Sequence, residues 1–494
     1  MKFVKYIDDR LNNVTMYRLV FFVLVFISFS ALIFSFLGQI HYSPTEIAVS
    51  LALATLTSFF SNLILAKLFR TSVNAESALI TGLLLFLIVS PGIDSASIIS
   101  ILVANIVAQA SKYLIAPIKR HIFNPAAFGA FVIFILGIGG ATWWVANPVL
   151  LGLVLLGGIL LTRKIRRFSL VLQFSFFALL SILYFNLDSG VRLGNLVLGV
   201  FLSWPLVFFA TFMLTEPITT PPRAHLRTVY ALLVGTVFGS QFHIGPIIPT
   251  PEFALLVGNV FSYLVGFKSK IIMTLKEKKQ IGENIYEFIF SRDRHFSFLP
   301  GQYMEWTLPR AKADARGNRR YFSISSSPFE ADIRLGVKFY EPSSSFKKLL
   351  LALKNGETLS AGGLAGDFVL PKDKNQKLVF IAGGIGITPF RSMIQYLIDK
   401  DEKRDILLFY ATKSEKELAY KEVFIAGERV GLRTKYVVSR IIDTDFLRAN
   451  VPDWSERKFY ISGPDPMVRA MEAILVKMGI PQRHLATDYF PGYA

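Results

Sequence analysis

The sequence contains no cysteine in its 494 residues. Disulfides, thiolate nucleophiles and iron–sulfur clusters held by this chain's own thiolates are excluded on that ground alone. Charge is scarce as well: 18% of the residues are charged, against roughly 25% in a soluble globular chain. The scarcity is local. Residues 1–267 hold 16 Lys+Arg and 8 Asp+Glu, whereas residues 268–494 hold 37 and 27. The first half has the composition of a segment that lives in lipid and the second that of a soluble domain, which excludes a single soluble globule and a disordered chain. The net charge of +18 comes from basic residues that are scattered or sit beside apolar runs, so nucleic acid is not an expected partner. Histidine is rare too. The first half has only His41, His121, His225 and His243, all near loops and none paired within an apolar run.

Long apolar runs are what the first half does have. They fall at about 17–38, 46–66, 77–90, 95–112, 125–138, 148–162, 168–186, 193–214, 227–241 and 251–267. Several are shorter than the roughly 20 residues of a simple spanning helix, as expected where Pro- or Gly-broken half-helices line a site. Basic residues alternate along the loops. Lys2, Lys5, Arg10 and Arg18 precede the first run, and Lys67 and Arg70 follow the second. Lys112, Lys119 and Arg120 follow the fourth, Arg163, Lys164, Arg166 and Arg167 the sixth, and Arg223 and Arg227 the eighth. The intervening loops carry only Arg192. This pattern predicts ten spans in the cytoplasmic membrane with both termini and the second half in the cytoplasm. The opening MKFVKYIDDRLNNVTMYR lacks a small-residue cleavage site and reads as a retained cytoplasmic end. Ten spans divide into two inverted sets of five, with matched breaks at Ser90-Pro91 and Glu216-Pro217, and at Asn124-Pro125 and Thr250-Pro251. An acidic group at membrane depth, Glu216, is a functional candidate.

From Lys268 the pattern becomes short alternating strands, then strand–helix alternation after about Lys377. Three motifs follow in order. Arg320-Tyr321-Phe322-Ser323 offers an arginine for a pyrophosphate, an aromatic for a flat ring and a hydroxyl for its edge. Gly363-Leu364-Ala365-Gly366-Asp367-Phe368 closes the first part. An apolar strand then runs into Gly383-Gly384-Ile385-Gly386 and Thr388-Pro389, where glycines admit phosphates to a helix N-terminus. Tyr460-Ile461-Ser462-Gly463-Pro464 and a C-terminal DYFPGY complete the set.

These motifs resemble the ferredoxin–NADP reductase family over essentially all of 268–494. The resemblance implies a six-stranded antiparallel FAD-binding β-barrel at 268–375 and a parallel α/β NAD(P)-binding domain at 376–494. It implies that Arg320 holds the FAD pyrophosphate, Phe322 the flavin ring, with Tyr321 beside it, and Ser323 its N5, with Ser345, Gly366 and Phe368 as further FAD contacts. It assigns Gly383, Gly384, Gly386, Thr388, Gly463 and Pro464 to NADH or NADPH, and Phe490 or Tyr493 to shielding of the flavin. Ser323 and Ser462 are then the catalytic candidates. The family has Tyr at Phe322 and Cys at Ser462, so stacking is kept and a thiol is replaced by a hydroxyl. Ser439 and Arg440 resemble the pair that grips a 2′-phosphate, and the choice between NADH and NADPH stays open.

In the first half, HIFNPAAFG at 121–129, GIGGATWW at 137–144 and FMLTEPITTPP at 212–222 come in an order that resembles a membrane flavoprotein family. Its members are the flavin-carrying membrane components of the sodium-translocating NADH:quinone reductase and of the Rnf complex. The resemblance implies one or two further flavins of the FMN or riboflavin kind. One lies at Thr142, within an extracytoplasmic loop flanked by Trp143 and Trp144; the other lies at Asn124, Thr215 and Glu216. Leu136 and Gly139 replace the Asp and Ser of the family's attachment motif, which argues against covalent attachment at Thr142. The chain thus reads as an NAD(P)H dehydrogenase fused to a ten-helix membrane domain, with a quinone or an extracytoplasmic acceptor, including a flavinylated protein, as electron partner. The alternatives are a haem-containing ferric-reductase or NADPH-oxidase type, and a transporter regulated by a nucleotide domain.

Overall fold

The computed structural model describes all residues except 1–9, 12–13, 72, 118–120, 188–191, 246, 267–269, 309–318, 342 and 491–494, and the side chains of 489 and 490. Lys2, Lys5, Lys119, Arg120 and Tyr493 lie outside the described residues. The chain divides into two compact units, Met1–Lys268 and Ser269–Ala494.

The first unit is helical. Helices Met16–Phe36, Pro44–Leu68, Ser95–Leu114, Pro148–Ile165 and Phe168–Phe185 are long and apolar enough to cross a membrane. Leu193–Leu202 and Leu206–Met213 add a sixth candidate if taken as one span bent by 55°. The four remaining apolar helices, Ala75–Ile88, Pro125–Ile135, Ala224–Gly239 and Pro251–Val265, have 10–17 residues. Among the described residues, five or six helices are long and apolar enough to span, where the sequence pattern predicts ten spans. Three of the other four are cut short for visible reasons. Ala75–Ile88 ends where Ile88 O accepts from Thr142 N and Trp143 N, and Pro125 and Pro251 start their helices at N1.

Outer surfaces of the long helices are as apolar as their inner ones. Along Met16–Phe36, Leu24, Ile27 and Ala31 are buried while Phe22, Phe26, Phe29 and Ile33 are exposed. A soluble helix would place polar groups on that outer face; this unit is a multi-pass membrane domain. Polarity is turned inward instead. Ser58 Oγ donates to Asn105 Oδ1 (2.8 Å) and accepts from Gln109 Nε2 (3.0 Å), joining Pro44–Leu68 to Ser95–Leu114 as polar groups do between helices in lipid. The bend before Leu206 falls at Pro205, and Phe209–Met213 then continues as a π-helical turn, a form that frequently marks functional sites.

The second unit has two sheets. Strands β1 (Ile271–Gly282), β2 (Ile285–Arg292), β3 (Tyr303–Thr307), β4 (Arg319–Ser323), β5 (Ile333–Lys338) and β6 (Thr358–Ala365) form an antiparallel sheet in the order β4-β3-β6-β1-β2-β5. Strands β7 (Leu378–Gly383), β8 (Ile406–Thr412), β9 (Leu432–Val438), β10 (Lys458–Pro464) and β11 (Leu485–Phe490) form a parallel sheet ordered β11-β10-β7-β8-β9. Every residue of β7 is buried, as a central parallel strand covered on both faces requires. The chain order reverses between β7 and β10. Ligands of open α/β sheets bind at that switch point, outside the carboxyl ends of the strands.

Candidate functional site

The carboxyl ends of β7 and β10 carry the glycine motifs. Residues 384–387 form a tight turn leading into helix Thr388–Lys400. Gly386 lies so close to β10 that a Cβ there would meet Ser462 O at 2.4 Å; its glycine serves the packing of the turn against the strand. Gly384 is different: it is left-handed (φ +53) and a Cβ would meet nothing within 4 Å, so its backbone faces open space. A Cβ on Gly383 would strike Met467 Sδ at 2.3 Å, and one on Gly463 would lie 3.1 Å from Gly383 Cα. Thr388 is buried and donates its hydroxyl to Ile385 O (3.1 Å), tightening the turn.

The helix that leaves this turn is clamped to the segment that follows β4. Arg391 donates to Ser325 O (3.0 Å) and pairs bidentately with Glu330, and Ser392 Oγ donates to Ser326 O (2.6 Å). Residues 325 and 326 follow β4 directly, so the Arg320–Ser323 motif is held beside the mouth of the parallel sheet. Sequence motifs do not point to Arg391, Ser392 or Glu330, because a long-range ion pair has no local signature.

Within β4 the alternation of side chains separates the motif. Arg320 and Phe322 share one face, against Phe346 of helix Ser345–Ala352: the guanidinium lies 5.3 Å from that ring centre and the Phe322 ring 5.9 Å from it. Tyr321 turns to the opposite face, donating to Glu305 Oε2 (2.8 Å) and meeting Tyr303 edge-on. Ser345 opens its helix, but the cap is Ser344, whose Oγ accepts from Lys347 N (3.4 Å). Gly366 (φ +118) lies against the Tyr303 ring, and Phe368 is buried against Phe390 and Tyr460 in the core of the parallel-sheet domain.

Ser323, buried at the end of β4, donates to Asp488 Oδ2 (3.4 Å) on β11. Asp488 is the register partner of Ser462 on β10. Ser462 Oγ is fully buried and has no hydrogen-bond partner among the described residues. An orphaned buried hydroxyl is costly unless a ligand satisfies it. Together with open Gly384 and the Arg320–Phe322 face, it fits a flavin and a nicotinamide meeting here. Ser439 is left-handed (φ +53) and donates its hydroxyl to Lys413 O (2.6 Å), and Arg440 lies over the Phe446 ring at 5.2 Å. Pro464 pairs with Phe490 at the end of β11; the Phe490 side chain lies outside the described residues.

The membrane unit has a cleft of its own. Its lining includes Lys112, His121, Asn124, Phe212, Thr215 and Glu216. Asn124 caps helix Pro125–Ile135 through Ala127 N (3.0 Å) and donates its Nδ2 to Glu216 Oε2 (2.9 Å), while Asn259 Oδ1 accepts from Asn124 N (2.7 Å). Thr219 Oγ1 also donates to Glu216 Oε2 (3.2 Å), and Thr215 Oγ1 donates to Thr211 O (2.8 Å). His121 Nε2 lies 3.5 Å from Glu216 Oε1, within ion-pair reach but without hydrogen-bond geometry. Asn124, Thr215 and Glu216, the three candidates of the sequence motifs, thus meet at one cleft; His121, at the head of the same motif, lines it too, and Asn259, without a sequence signal, braces Asn124. The buried His121 Nε2 makes no hydrogen bond among the described residues.

Thr142 is apart from this cleft. It is exposed and accepts from Ser90 Oγ (3.1 Å). Trp143 and Trp144 are buried: Trp143 Nε1 donates to Glu252 Oε2 (3.2 Å) and Trp144 Nε1 to Phe86 O (2.6 Å).

Residues 380–473 match the family described as the oxidoreductase NAD-binding domain. A flavohaemoprotein of Bacillus thuringiensis subsp. konkukian is 29% identical over 216 residues, 39% of this chain and 53% of the relative. The phenol hydroxylase P5 protein of Acinetobacter pittii is 27% identical over 44% of this chain and 64% of its own length. The chain thus spans about half the length of the flavohaemoproteins it matches. Among solved structures, a cytochrome P450 reductase of Amycolatopsis covers 45% of this chain and 71% of its own at 21% identity and TM-score 0.41. The flavohaem-like FAD/NAD-binding domain of a nitric oxide dioxygenase from Vibrio cholerae covers 44% and 98% at 18% identity and TM-score 0.40. The second unit thus carries an NAD(P)H-dependent FAD oxidoreductase domain, within which residues 380–473 match the oxidoreductase NAD-binding family.

Proposed function

We propose that the whole chain is a transmembrane NAD(P)H dehydrogenase. It takes electrons from cytoplasmic NAD(P)H into FAD and passes them by way of flavin held in the membrane unit to a quinone or an extracytoplasmic acceptor. The observation that carries the membrane half of this reading is the convergence of Asn124 and Glu216, 92 residues apart, on one cleft through a 2.9 Å hydrogen bond. A bilayer core is roughly 30 Å thick, too wide for a single electron hop, so a relay needs a centre among the helices. The resemblance to the membrane flavoproteins of the quinone reductase and the Rnf complex supplies the flavin as that centre.

FAD, when bound, accepts a hydride as a pair of electrons and releases electrons singly. The residues of the chain do the rest. Arg320 neutralises the pyrophosphate, and Phe322 covers the ring. Ser323 holds a proton at Oγ, oriented by Asp488, and Ser462 positions the nicotinamide beside it. Gly384 leaves its backbone open to the dinucleotide.

Haem in the membrane unit requires paired histidines on facing helices. His41, His225 and His243 are exposed and His121 faces Glu216, which favours flavin over haem. The visible spectrum of purified full-length protein tests the choice: flavin bands alone are expected, with more than one flavin released per chain on denaturation. A Soret band would overturn the reading in favour of haem, and the absence of any chromophore would favour a regulated transporter.

A further inference from the structure

The reductase unit is expected to hold its flavin along Arg320–Ser323 and its nicotinamide at the turn of residues 383–388. Hydride transfer between two such rings needs the reacting atoms about 3–3.5 Å apart, and an error of about 1 Å can cost roughly 100-fold in rate. The two segments belong to different sheets, so contacts between the sheets set that distance. Arg391 lies one helical turn beyond Thr388, and Ser325 lies two residues beyond Ser323. The clamp of Arg391 and Ser392 on residues 325–330 therefore ties the ends of both segments together.

Arg391 is buried, and its guanidinium meets both oxygens of Glu330 while Nη1 also donates to Ser325 O (3.0 Å). The Tyr420 ring lies 5.8 Å from the guanidinium carbon. Glu330 is held in turn. Its Oε2 accepts from Ser327 N (2.7 Å), and its Oε1 lies 2.8 Å from Arg334 Nε on β5. Arg334 Nη1 donates to buried Glu287 Oε2 (2.7 Å) on β2. Alternating charges thus run from the nucleotide helix into the antiparallel sheet. Backbone approach is close at the same seam: a Cβ on Gly336 of β5 would meet Tyr420 Oη at 2.6 Å and Thr388 Cγ2 at 2.7 Å, and one on Gly301 would meet Met393 Cε at 2.5 Å. A buried ion pair adds little stability over an apolar contact of the same volume. What a bidentate guanidinium–carboxylate pair adds is direction.

We propose that Glu330 is a positioning residue for hydride transfer: acting through Arg391, it fixes the turn that receives the nicotinamide against the strand that holds the flavin. In that reaction a hydride passes from C4 of the reduced nicotinamide to N5 of the flavin, so the nucleotide is oxidised by two electrons and the flavin reduced by two. Glu330 and Arg391 take no proton or electron in the step. The role belongs to the reductase unit alone and does not depend on the membrane relay. A pair that merely held the fold together would change stability and leave the approach of the two rings as it is.

The test compares full-length wild type in detergent with Glu330→Gln and Arg391→Lys, each of which keeps a hydrogen-bonding group in place. FAD content and the temperature of FAD release establish that the variants are folded. Mixed anaerobically in a stopped-flow instrument with the nucleotide that wild type oxidises faster, both are expected to bleach the flavin roughly tenfold more slowly at saturation. The dissociation constant of the nucleotide is expected to stay within about threefold. A second readout needs no turnover: the long-wavelength absorbance of oxidised nicotinamide stacked on chemically reduced FAD should weaken in both variants. The double variant should be no slower than the slower single variant, since both substitutions remove one contact. A wild-type rate at saturation in both variants, with FAD retained, would overturn the role of the clamp. An effect confined to the dissociation constant would overturn it too, making the pair part of nucleotide binding. Loss of FAD from both single variants would make the pair a folding contact and equally overturn the positioning role.

Discussion

Ser323, at the end of β4, donates to Asp488 on the last strand of the parallel sheet, 165 residues later. That bond joins the two halves of the reductase unit at the point where its ligands are expected to meet. It also places the Ser323 hydroxyl near Ser462, the register neighbour of Asp488.

The first prediction follows from this bond. Ser323→Ala should slow flavin reduction by NAD(P)H on the order of 100-fold, the low end of what a positioned proton-handling group contributes. Asp488→Asn should slow it less, because an amide still accepts from the hydroxyl. Stopped-flow bleaching of the flavin measures both. A full rate in Ser323→Ala would take this hydroxyl out of the reaction.

Arg320→Ala should weaken FAD binding by about 1.5–3 kcal/mol, the range for a hydrogen bond to a charged group. That corresponds to roughly 10- to 150-fold in Kd. Retention of FAD through dialysis at the wild-type level would remove Arg320 from the site.

Nucleotide choice is tested at Arg440, which follows left-handed Ser439 and lies over Phe446. If this corner grips a 2′-phosphate, Arg440→Ala should raise KM for NADPH at least tenfold more than KM for NADH. Equal effects on the two nucleotides would make Arg440 a surface residue of β9's exit loop.

The acid stability of the reductase unit should depend on Asp453. Hydrogen bonds from Arg457 (2.6 Å) and then Lys377 (3.0 Å) hold its carboxyl down at about 2, from an ordinary 3.8. A folded value below the unfolded one means that the stabilisation is complete above about pH 4 and is lost as the pH falls through about 2. Asp453→Asn should therefore lower the temperature of FAD release at pH 6 modestly, the pair being partly exposed to solvent. The difference from wild type should vanish near pH 2. A constant difference across that window would contradict the assignment.

Much of the reductase half is legible in the sequence because its chemistry sits in short contiguous runs. Arg320–Ser323 and Gly383–Gly386 each occupy one strand end, and strand periodicity fixes which residues share a face. The purposes of individual glycines are not legible: Gly386 is spent on contact with Ser462, and only Gly384 is open. The clamp of Arg391 on Glu330 joins residues 61 apart and has no local pattern. In the membrane half, Asn124-Pro125 and Thr215-Glu216-Pro217 announce breaks, and the structure brings these breaks together at the cleft. Lys112 passes for a loop cation because a basic residue in a last helical turn and one in the following loop look alike in sequence. Trp143 and Trp144 resemble interfacial anchors, yet each spends its indole N–H on a buried partner. Apolar runs overstate the count of long spans where short helices end at prolines and loop contacts within the bundle.

The central claim, electron flow across the membrane, is tested most directly in sealed vesicles with the reductase unit facing outward. Added NAD(P)H should reduce an impermeant acceptor trapped in the lumen, and the ratio of lumenal to external ferricyanide reduction should fall in a Thr215→Ala/Glu216→Gln double variant. Robust reduction of external ferricyanide with none in the lumen, from intact protein carrying a single FAD per chain, would contradict the relay and leave a reductase that is only anchored to the membrane.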